Sequence, residues 1–190
     1  FNKHSIFDCM KKIINCILTF SFLILTFNSC VSTETETKVP EKKEVVKSAE
    51  DLEYERATQE LEGETVSRDT YEKDKRIILE KIRDLNLIMK SRDYKSWLKF
   101  IEPNSINYWS QRKNLSSASK QLPVKGIQLK SLEDYFNYVF IPSRMGRQID
   151  EIRYISSSSI KAVQVREDDT VIFYNFKKIN DEWFVELPTL

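Results

Sequence analysis

Glycine, histidine and cysteine are scarce in this sequence of 190 residues, which contains three, one and three of them. Three glycines are too few for a glycine-rich phosphate loop or a dinucleotide-binding fingerprint. A single histidine, His4, excludes most catalytic triads and nearly every zinc site. We therefore expect neither a metal nor a cofactor, and we expect the protein not to be an enzyme.

The net charge is also small, because 30 basic side chains nearly balance 29 acidic ones. The charges are unevenly distributed: residues 31–70 carry 12 acidic and 6 basic side chains, whereas residues 71–190 carry 16 and 21. An excess of five basic charges over the second segment is mild compared with that of a nucleic-acid-binding domain. We expect no nucleic acid among the partners.

An apolar run near the start is typical of the leader of an exported protein. Met-Lys-Lys at residues 10–12 precedes an apolar core, residues 13–27, that is shorter than the roughly 20 residues of a membrane-spanning helix. We expect translation to start at Met10. Residues 1–29 are therefore predicted to comprise upstream residues and a signal peptide.

The apolar run ends in a cysteine. The segment Leu-Thr-Phe-Asn-Ser-Cys at residues 25–30 resembles a bacterial lipobox, in which a signal peptidase cuts before a cysteine that becomes lipidated. Ser29 and the place of Cys30, between an apolar run and a polar segment, carry the resemblance, although Phe27 and Asn28 depart from the common pattern. The resemblance implies that Cys30 is the lipidation site and carries acyl groups such as palmitate.

A lipidated Cys30 would anchor the protein to membrane lipid in the bacterial cell envelope. Val31-Ser32 lacks an aspartate retention signal, which favours the outer membrane or the cell surface over the inner membrane. Two alternatives remain open: a secretory signal that is cleaved elsewhere, or an uncleaved N-terminal anchor.

Residues 30–70 are predicted to be the lipidated cysteine followed by an acidic, flexible tether. The segment is strongly charged and poor in aromatic residues, so it buries too little apolar surface to offset its chain entropy. A short helix from Ser48 to Leu61, ended by Gly63, is the one ordered element that its pattern suggests.

Residues 71–190 are predicted to form the folded domain. Apolar residues at spacings of three and four predict a long helix from Tyr71 to Lys90, and a shorter helix around Trp97 that Pro103 ends. A third helix is predicted between residues 104 and 120. The last begins after an N-cap at Ser131 and runs to Ile141.

The second half of this domain changes to a period of two, which indicates strands. The predicted strands are Ile152–Ile155, Ile160–Arg166, Val171–Lys178 and Glu182–Leu187, separated by polar turns. Helices followed by an antiparallel meander predict an α+β domain with its helices packed on one sheet face.

The order of these elements, and the ending Val171–Val185 with its strand, polar turn and tryptophan-containing strand, resembles the NTF2-like (cystatin-like α+β cone) superfamily. The resemblance implies a bent antiparallel sheet of about four strands. Such a cone can hold a small molecule, and its enzymatic members usually place Asp and His pairs there. The domain lacks histidine, so we assign no catalytic residues; Asp134, Asp150 and Glu151 are the nearest candidates for a general base and have structural explanations.

Two kinds of binding site remain open. Arg144, Arg147 and Arg153 are a possible anion patch, although Asp150 and Glu151 could balance them. A pocket with polar handles is the other possibility. Its candidate lining residues are Tyr94, Trp97, Tyr108, Trp109, Tyr135, Tyr138 and Tyr174.

Two functions follow from these sites. The first is a non-catalytic, monomeric domain that binds a protein or another extracellular or envelope macromolecule. The alternative is a cone that binds a small apolar ligand or is weakly catalytic. An enclosed cavity of a few hundred Å³ lined by the aromatic residues would favour the cone.

Overall fold

The computed structural model describes residues 47–167 and 169–190 of the chain. The helices are α1 (Ala49–Thr58), α2 (Arg68–Ser91), α3 (Tyr94–Leu98), α4 (Pro103–Trp109), α5 (Arg112–Gln121), α6 (Leu132–Tyr135) and α7 (Ile141–Arg144), with a π-helical turn, Phe136–Phe140, between the last two. The strands are β1 (Glu151–Ser156), β2 (Ser159–Val165), β3 (Thr170–Ile179) and β4 (Glu182–Glu186). The predicted leader, Cys30 and the first part of the predicted tether lie outside the described residues.

The four strands form one antiparallel sheet in the order β1-β2-β3-β4, which confirms the predicted α+β meander. Buried and more exposed residues alternate along the strands, as the period of two requires; Trp183 and Val185 on β4 are buried, whereas their neighbours are not. Asn180 and Asp181 both have positive φ, the backbone conformation of a tight hairpin turn between β3 and β4.

Helix α2 supplies much of the core that faces the sheet. Ile78, Ile82, Leu85 and Met89 are buried along one stripe, as the predicted spacing requires. The helix begins three residues earlier than predicted because the side chain of Ser67 caps it, accepting a hydrogen bond from the backbone N–H of Thr70 at 3.2 Å.

The structure contains the short helix predicted from Ser48, as α1, but residues 47–70 pack into the domain where a flexible tether was predicted. Ser48 caps α1 in a capping box with Asp51, and Ala57 on this helix is 1% exposed. The hydroxyl of Tyr54 donates to the carbonyl of Val66 at 2.6 Å, and Val66 is also buried. A few well-placed apolar contacts and caps therefore order a segment whose average composition indicated disorder.

The middle helices also differ from the prediction. Pro103 begins α4 rather than ending α3, because proline fits the first turn of a helix, where no N–H partner is needed. Glu102 caps this helix by accepting from the backbone and hydroxyl of Ser105, at 2.8 and 2.9 Å. The predicted third helix is two helices, α4 and α5, separated at Ser110 and Gln111.

No helix within residues 47–167 and 169–190 combines the length and the apolar character needed to cross a bilayer.

Candidate functional site: a basic groove

An open groove runs between α5 and the segment that follows it, and its volume is about 680 Å³. The hydroxyl of Ser119 fixes the two walls, because it accepts from the backbone N–H of Leu129 and donates to the carbonyl of Leu115, both at 2.8 Å. Gly126, with φ of 91°, lets the chain turn back along the helix. The groove is therefore a defined feature of the surface.

The lining of this groove is basic. Arg112, Lys113, Lys120 and Lys130 line it, and all four side chains are exposed. None of the four forms an ion pair with a carboxylate of the described part of the chain. Asp134 lies at one end, where its carboxylate accepts from the backbone N–H of Lys130 at 2.8 Å. The groove can attract an anionic partner through several cations at once.

Sequence reasoning missed this groove, although a signal was present. Residues 103–132 contain five basic side chains and no acidic one, within a domain whose overall excess is only five. A window of 30 residues without a carboxylate predicts a local positive surface that the total charge conceals.

The predicted anion patch is divided in the structure. Arg144 and Arg147 both contact Phe173: the Nε of Arg144 donates to the carbonyl of Phe173 at 2.8 Å, and the guanidinium of Arg147 lies 5.7 Å from its ring centre. Arg153 instead forms an ion pair with Glu151 at 3.0 Å. Burial lowers the pKa of Arg144 from its ordinary value.

The candidate pocket residues pack against other aromatic rings or lie at the surface. The rings of Trp109 and Tyr135 pack at a tilt of 33° with their centres 4.3 Å apart, and the ring centre of Trp97 lies 4.9 Å from that of Phe136. Tyr174 is buried beside Phe140.

Tyr94 is half-buried against Trp97, and burial raises the pKa of its hydroxyl. The hydroxyl of Tyr108 accepts from the backbone N–H of Leu190 at 3.1 Å, and Tyr138 is 51% exposed. The structure thus distributes the seven residues between the core and the surface. Neither the basic groove nor a second groove along α2 contains an aromatic residue in its lining.

The three acidic residues considered as general bases have structural partners. Asp134 completes the capping box of α6 with Ser131, and its bond from the N–H of Lys130 lowers its pKa. Asp150 accepts from the backbone N–H of Val165 at 2.9 Å. The Glu151 side chain is only 11% exposed, and Arg56 and Arg153 both pair with its carboxylate.

A second polar cluster, around Asp74 of α2, was also missed by the sequence analysis. The Asp74 carboxylate is buried and accepts from the hydroxyl of Tyr154 at 2.9 Å and the indole of Trp183 at 3.0 Å. Lys178 lies 3.2 Å away. The signal was the position of Asp74, three residues after Tyr71 and four before Ile78 on the buried stripe.

Comparison with known proteins gives one informative similarity. The chain is 30% identical, over 118 residues, to an uncharacterised lipoprotein of Treponema pallidum (strain Nichols). The match covers 62% of this chain and 63% of that protein, so the chain spans less than two thirds of the length of its relative. Neither a protein-family model nor a solved structure matches. This chain is thus similar to a bacterial lipoprotein over most of its length.

Proposed function

We propose that this protein is a bacterial envelope lipoprotein, anchored through acylated Cys30, whose α+β domain binds an anionic macromolecule in the basic groove. The leader, the lipobox-like segment and the similarity to the Treponema pallidum lipoprotein support the anchor. Several acyl chains on one cysteine hold a protein to a membrane stably. The expected location is the outer membrane or the cell surface.

Replacing Cys30 by alanine tests the anchor. In cells fed a tagged fatty acid, we expect the natural chain to take up the label and the Cys30→Ala chain to take up none, because no acceptor thiol remains at the predicted cleavage site. A Cys16→Ala variant is the matched control and should be labelled normally. Equal labelling of the Cys30→Ala and natural chains would contradict the proposal.

The basic groove is the observation that carries the binding function. Its four exposed cations lie on two walls whose backbones the hydrogen bonds of Ser119 hold together, so all four project from one continuous surface. Several cations on one surface attract an anionic chain more strongly than scattered ones do. The domain acts by binding, without catalysis. The helices followed by a meander support an NTF2-like relationship as part of the same proposal.

Charge reversal in the groove tests this function. Residues 31–190, immobilised through a tag, would be incubated with envelope extract, and the captured partner would be identified by mass spectrometry. We expect Lys113→Glu with Lys120→Glu to reduce capture of that partner at least tenfold, because each reversal adds repulsion to the lost attraction. Capture by the natural chain should also fall as the salt concentration rises.

The matched control is Lys73→Glu with Arg76→Glu, which places the same charge change on exposed positions of α2. This control should capture the partner as well as the natural chain does. If both double variants lose the partner equally, net charge rather than the groove governs binding, and the proposed site is wrong.

A further inference from the structure

Helix α1 buries little apolar surface against the rest of the domain. Ala57 is its one buried residue, and Leu52 is 43% exposed. Tyr54 packs edge-on against Tyr71 of α2, with ring centres 5.5 Å apart. A helix of this length is only marginally stable in water by itself, so it depends on its contacts with the domain.

Four ion pairs join residues 49–62 to the rest of the domain. Their partners lie on α2, β1 and β2, and the pairs are Asp51 with Arg68, Glu53 with Lys75, Arg56 with Glu151, and Glu60 with Lys161. The last three pairs each have an N–O distance of 2.8 Å. The eight paired side chains are 11–47% exposed, so dissolved salt can screen the attraction between them.

The connection between α1 and α2 contains a hinge. Residues 59–67 form neither helix nor strand, and Gly63 has φ of 72° with no atom within 4 Å of the place that a Cβ would take. Glycine changes its backbone conformation at low cost, and hinges are loop positions that absorb such changes. Beyond Gly63 the chain is fixed again, because Glu64 accepts from the backbone N–H of Ser157 at 2.6 Å and Val66 is buried.

We propose that residues 49–62 form a strap that detaches from the folded domain at raised ionic strength by turning at Gly63. Detachment breaks the four ion pairs and uncovers Tyr71, while the remainder of the domain stays folded. The strap contains the described helix nearest in sequence to Cys30, so its detachment also lengthens the connection between the proposed lipid anchor and the domain. That consequence rests on the proposed function, whereas detachment itself does not, so either can fail alone.

Thiol labelling tests the strap, because residues 31–190 contain no cysteine. Ala57→Cys places a thiol at a position on the strap that is 1% exposed, and Ala162→Cys places one at a position on β2 that is 0% exposed. With a neutral maleimide, we expect the thiol at position 57 to react roughly tenfold faster or more, because local opening exposes it without unfolding of the sheet.

The salt dependence of labelling identifies the ion pairs as the cause. Raising the sodium chloride concentration from about 0.01 M to about 1 M shortens the screening length from about 30 Å to about 3 Å. Labelling of Ala57→Cys should then become about fivefold faster or more, because four attractions weaken together. Labelling of Ala162→Cys should not become faster. Ala118→Cys, at a buried position of α5, gives a second reference that does not depend on β2.

Two pairs of neutral substitutions, each made in the Ala57→Cys chain, provide the matched comparison. Arg56→Gln with Glu60→Gln removes two of the ion pairs without changing the net charge, so labelling should be faster at low salt and less dependent on salt. Glu80→Gln with Arg83→Gln removes an exposed ion pair within α2 and should change neither.

The proposal is wrong if the thiols at positions 57 and 162 react at equal rates, because α1 then leaves only when the whole domain unfolds. It is also wrong if labelling at position 57 is faster but does not depend on salt, because apolar contacts alone would then hold the strap. Both results can be obtained without acylation of Cys30, so they are independent of the fatty-acid labelling that tests the anchor.

Discussion

Replacing Asp74 by alanine is expected to lower the free energy of unfolding by about 3–5 kcal/mol, the usual cost of removing one partner of a buried ion pair. The Asp74 carboxylate joins α2 to β1, β3 and β4 through Tyr154, Lys178 and Trp183. Its loss leaves two buried donors unsatisfied and an ammonium, 22% exposed, without its counter-ion. Chemical denaturation of residues 31–190 measures the change.

Two controls identify the cause of that loss. Asp84→Ala changes an exposed carboxylate on the same helix and should alter the free energy of unfolding by no more than about 0.5 kcal/mol. Asp74→Asn keeps an acceptor of the same size but removes the charge. Its effect on the free energy of unfolding should therefore lie between those of Asp74→Ala and Asp84→Ala. If Asp74→Ala unfolds at the same denaturant concentration as Asp84→Ala, the cluster does not hold the helix to the sheet.

Shortening the chain so that it begins at Tyr71, where the composition changes, is expected to destabilise the domain by about 3 kcal/mol or more. The deletion removes α1 and Val66, and so exposes apolar surface that contributes about 25 cal/mol per Å². It also removes Glu53, which accepts from the hydroxyl of Tyr71 at 2.8 Å, and Arg56, which pairs with Glu151 at 2.8 Å. Urea unfolding of residues 71–190 and 47–190 measures the difference.

Point variants in the intact chain give a sharper version of this comparison. Ala57→Arg places a long charged side chain at a position that is 1% exposed, so it should displace α1 and reproduce most of the effect of the deletion. Glu62→Arg adds the same side chain at an exposed position and should have little effect. If the chains beginning at residues 47 and 71 are equally stable, residues 47–70 do not stabilise the domain, and the prediction that the tether extends to residue 70 is correct.

The regular elements could be predicted because their signals are local. The buried stripe of α2 follows from the spacing of Ile78, Ile82 and Leu85, and the strands follow from alternation over five to ten residues. The turn at Asn180 and Asp181 follows from residue types that tolerate positive φ. The exact bounds differ by a few residues, because a cap such as Ser67 depends on hydrogen bonds that a spacing pattern does not contain.

The candidate sites were harder to predict, because side chains far apart in sequence form them. Arg144 and Arg153 are nine residues apart, yet one contacts the bulge at Phe173 and the other pairs with Glu151. The basic groove was missed for another reason. Its charges were summed with those of the whole domain, so an excess of five concentrated in residues 103–132 was interpreted as a mild excess spread over 120 residues.

The amino-acid sequence by itself determined the α+β class and the order of helices and strands, since these depend on hydrophobic period, caps and turns. It also determined that residues 103–132, which include the residues that line the basic groove, contain no acidic side chain. Only the tertiary structure decided that α1 belongs to the domain, that Asp74 is buried at the centre of a polar cluster, and that Arg144 faces Tyr174. Each of these depends on which distant side chains burial brings together, and the free energy of burying a charge is set by those neighbours rather than by the residue itself.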